Sequence, residues 1–123
     1  MKGVHCEKVF FAFSNNYYGD DVMAYERDKE CVTTRLATEA RISREEDGAY
    51  LEMVLDEAFG KMEPEIIDTN KLGMPRISEA RYENPDGSDI RIDLDMFGKK
   101  RGEYPTVGPI EGLGTGRIKV RLL

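Results

Sequence analysis

Strict alternation of apolar and polar residues is clearest in the second half of the chain. In "DIRIDLDM", Ile90, Ile92, Leu94 and Met96 fall on one parity, and Asp89, Arg91, Asp93 and Asp95 on the other. Successive strand side chains point to opposite faces, so this run predicts a half-buried strand. Asn84-Pro85-Asp86-Gly87 precedes it and carries the residues of a type I turn with a bulge glycine. A three-residue loop, Pro85 to Gly87, pairs Tyr82 with Ile90 and Ala80 with Ile92, which puts the apolar side chains on one face. The final run, "RIKVRLL", alternates in the same way: Ile118, Val120 and Leu122 oppose Arg117, Lys119 and Arg121. Its polar face is basic and that of residues 89–95 is mostly acidic. Opposite charges on adjacent strands attract, so the pattern predicts that these two strands are neighbours.

The middle admits two periods. Over 33–62, a turn at Asp47-Gly48 makes a hairpin that pairs Ile42 with Met53, Ala40 with Leu55 and Leu36 with Phe59. Alternatively, Leu51, Val54, Leu55, Ala58 and Met62 form a helical stripe, with Ser43 and Glu46 as a capping box. The threonines and β-branched residues leading into the turn tip the reading towards the hairpin. Upstream, Val4 to Phe13 reads as a strand, "SNNYYGDD" (14–21) as a loop, Val22–Tyr25 as a short strand, and a further strand starts near Cys31. Residues 63–75 read as a loop, and 98–114 as a long one, punctuated by proline and glycine. The expected fold is therefore mainly β: one domain over 1–123, a small sandwich or open barrel built from antiparallel hairpins. An α+β variant with one helix near 44–62 is the alternative.

Several chemistries fail on spacing. The glycines of "IEGLGTGRIKV" (110–120) suggest a phosphate loop, but such loops run from strand to helix. Here Gly112, Gly114 and Gly116 lead into a strand, and the lysine and hydroxyl residue of a P-loop are missing. The sole histidine, His5, stands beside Cys6, with Cys31 distant in sequence. That set does not supply four zinc ligands, and adjacent strand residues point apart, which denies Cys6 a base. Two cysteines and no secretory leader point to a reducing, cytoplasmic setting without a disulfide. No apolar run approaches the roughly 20 residues of a membrane span.

Charge then narrows the partners. The formal net charge is −6, and the acidic side chains concentrate in residues 1–70. This disfavours nucleic acid, which needs a basic footprint, and suits a basic protein partner. Six of the 11 aromatic residues lie between Phe10 and Tyr25. Tyr17 and Tyr18, beside Asp20 and Asp21, have the composition of a protein-binding loop and are the expected partner-binding residues. Asp93 and Asp95 share a strand face and are the weak candidates for a divalent metal. Lys99, Lys100 and Arg101, with Arg76, form a weak basic patch. The reading is a non-enzymatic binding module that needs no cofactor, of inhibitor or immunity type. A structural subunit of an assembly, such as a viral or phage particle component, and a small divalent-metal-dependent enzyme are the alternatives, and a homo-oligomer is compatible with each.

Overall fold

The computed structural model describes residues 12–123. The expected strand from Val4 to Phe13, with His5 and Cys6, falls almost wholly outside them. The fold is mainly β, and its largest element is an antiparallel sheet. Tyr17–Tyr18 (β1) pairs in parallel with Val32–Thr33 (β2). Arg41–Glu45 (β3), Gly48–Leu55 (β4) and Gly116–Arg121 (β5) make a three-stranded sheet in the order β3-β4-β5. Two single-turn helices complete the set, Glu57–Gly60 (α1) and Thr69–Leu72 (α2).

The hairpin reading of the middle holds, with a shifted register. Ile42 faces Leu51 rather than Met53, and Glu46-Asp47 occupy the turn instead of Asp47-Gly48. Gly48 is already in β4 at φ 151°, where an added Cβ would collide with the Leu123 carbonyl oxygen. A side chain is therefore barred at that position. The helix near 44–62 does not form, because 48–55 is strand and helix is confined to the four residues of α1. Asp56 caps that turn, its Oδ1 accepting from the Ala58 N–H at 2.9 Å.

Two strand expectations are corrected. The last strand pairs with β4, not with residues 89–95. Its charges are met in β4, in β3 and just before it: Lys119 stands opposite Glu52 and reaches Glu45, and Arg117 pairs with Glu39 at 2.8 Å. The turn at 84–87 forms in the expected register, but only Glu83↔Asp89 bridges across it. Beyond that point the chain leaves its partner. Ile92 donates its N–H to the Ile67 carbonyl, and Asp95 donates to the Lys99 carbonyl. Ile92, Leu94 and Met96, expected in the core, are each more than half exposed. Residues 22–25 are likewise not a strand.

The apolar core of the described residues is small: Leu55, Phe59 and Ile110. Phe59 meets Tyr17 edge-on at 5.4 Å between centroids, which ties α1 to the parallel pair. Buried Thr69 joins the next layer: its hydroxyl donates to the Tyr82 carbonyl at 2.9 Å and accepts from the Ile90 N–H at 2.7 Å. By register, one face of the large sheet carries Ile42, Leu51 and Val120 in a row across three strands, with Met53 and Ile118 beside them. The other face carries the row Arg41, Glu52, Lys119.

Candidate interaction surface

The expected tyrosine loop is built into the fold. The Tyr17 hydroxyl accepts the Asp56 N–H at 3.1 Å, and the Tyr18 hydroxyl donates to Asp28 Oδ2 at 2.6 Å. That bond, with burial and the Asp28 charge, raises the Tyr18 pKa above its ordinary value. Asp20 sits at φ 57° and its carboxylate receives both the N–H and the hydroxyl of Thr38, which lowers its pKa. Asp21 is exposed and lies 3.6 Å from the Arg35 guanidinium. These four residues are close in space as well as in sequence, but only Asp21 turns its charge wholly to the surface.

Asp93 and Asp95 part company. Asp93 accepts from Arg91 at 3.3 Å and lines an open cleft with Glu65, Lys71, Lys100, Arg101 and Tyr104. Asp95 is buried, and both its oxygens are occupied by amides. Oδ1 accepts from Phe97 at 2.9 Å and Lys99 at 2.8 Å, and Oδ2 accepts from Glu111 at 3.0 Å. The Glu111 amide is the main cause that holds the Asp95 carboxyl below its ordinary pKa, opposed by desolvation and aided by the other two amides and Arg101. No group of three or more His, Cys, Asp or Glu side chains gathers for a metal among the described residues.

The basic triplet also divides. Arg101 turns inward, donating to the Thr106 carbonyl at 2.9 Å and the Gly108 carbonyl at 2.7 Å. Lys100 opens into the cleft, and the Lys99 ammonium lies over Gly112. Glu111 completes this loop by accepting from the Thr106 N–H and hydroxyl, at 3.0 and 2.8 Å. Burial pushes the Glu111 carboxyl up, but those two bonds and the Arg101 charge outweigh it and hold the pKa down. The long segment 98–114 is thus an ordered loop, tied by polar side chains around buried Pro105 and Ile110. Its spaced Asp95, Arg101 and Glu111 were visible in the sequence, but nothing there marked them as partners.

Alongside the charged groups, the surface carries many apolar ones. Ile42, Met74, Ile77, Met23, Leu94 and Met96 are among many large apolar side chains with more than half their area in solvent. The total accessible area is 9500 Å². By the size relation for folded monomers, a 14.0 kDa chain exposes roughly 6,700 Å². The accessible area exceeds that figure.

No family model matches the chain, and no curated protein is similar enough to count as a relative. Among solved structures it is similar to one described as the complex structure of XylC with xylose, at 28% identity and a TM-score of 0.81. The match covers 89% of this chain and 17% of that one, so the chain spans about a sixth of its structural neighbour.

Proposed function

We propose that this chain is a docking module: it seats on a larger polypeptide and works as a structural part of it. The carrying observation is the imbalance, among the described residues, between a small core around Leu55, Phe59 and Ile110 and the many large apolar groups left in solvent. A β-sheet needs a second layer over its apolar face, and a domain that lacks one is completed by a partner. The parallel pair β1–β2 supports the same reading. Parallel strands usually lie inside larger sheets, whereas this pair stands alone and leaves both outer edges unpaired among the described residues.

The neighbour suggests the kind of host. A fold of this shape makes up a sixth of XylC, leaving five-sixths of that chain to cover such faces. We infer a host of that type, one that handles pentose sugars, on the strength of the xylose in that complex. The acidic first half of this chain adds a preference for basic groups at the rim of the contact. Free Cys31 accords with a reducing, cytoplasmic setting.

The test is to mix the chain with XylC lacking the matched segment and follow sedimentation. A one-to-one complex, together with binding of a hydrophobic dye by the chain alone, is the expected result. No complex and no dye binding would overturn the docking reading.

A further inference from the structure

We draw no further inference here: the strongest candidate, the open cleft between residues 65–71 and 91–104, lined by Glu65, Lys71, Arg91, Asp93, Lys100 and Tyr104, belongs to the surface already described and answers its own charges, Lys71 with Glu65 and Arg91 with Asp93, so that nothing in it selects a ligand.

Discussion

The Asp95 carboxylate accepts the backbone N–H of Glu111 at 3.0 Å across sixteen residues of chain. This bond closes the long loop that separates the polar hairpin from the last strand. With Phe97 and Lys99 on the other oxygen, one side chain sets where the loop begins and ends. Asp95→Asn retains the shape but trades one acceptor oxygen for a donor, which would face an N–H. It is expected to lower Tm by several degrees and to open residues 98–112 to protease. Limited proteolysis with mass mapping checks this.

The same carboxyl gives the loop a pH dependence. Its pKa in the fold lies below the ordinary 3.8 because the Glu111 amide, the other two amides and Arg101 favour the charged form. A carboxyl depressed in this way stabilises above its unfolded pKa, and the contribution is lost as pH falls through the folded value. Amide signals of Phe97, Lys99 and Glu111 should therefore stay constant from about pH 8 to about pH 5. They should change together below the ordinary carboxylate range. A change centred near neutral pH would count against this assignment.

Arg101 holds the loop from inside by donating to two carbonyls. Arg101→Lys keeps the charge but loses the planar fork, so one or both carbonyls go unmet. The expected cost is about 1–3 kcal/mol, measured by urea unfolding.

Among the described residues, Leu55 and Phe59 are buried apolar side chains, at 4% and 7% exposure. Leu55→Ala is expected to cost about 2–5 kcal/mol from lost transfer energy and the cavity left behind. In a core this small, that is a large share of the total stability. Chemical denaturation of the variant checks it.

Tyr17 tests whether the tyrosine pair is framework. Tyr17→Phe keeps the ring against Phe59 and removes only the acceptor for the Asp56 N–H. A loss of about 0.5–1.5 kcal/mol is expected. A Tyr17→Phe chain as stable as the wild type would show that this bond contributes nothing.

Much of the fold was legible locally. The alternation in 117–123 marked β5, the turn residues at 84–87 marked a real turn in the right register, and residues 33–62 favoured a hairpin over a helix. Each signal lies within a few residues of chain, where side-chain period and turn chemistry act directly. The errors share a cause. The apolar parity of Ile92, Leu94 and Met96 predicted burial, but parity states only which side chains share a face. It does not say that anything covers that face, and in this structure little does. Charge complementarity likewise chose the wrong neighbour for β5, because Glu45 and Glu52 offered carboxylates as good as those of residues 89–95.

The sequence by itself determined the mainly β class, the hairpin, the last strand and the glycine-led entry to it, since these follow from period, turn residues and the strand alternation that starts at Gly116. Tertiary structure alone decided that Asp95, Arg101 and Glu111 form one network, and that Asp56 meets Tyr17 and Thr34. Those are contacts between residues far apart in the chain. Their energies depend on which groups lose water together, and no local pattern carries that information.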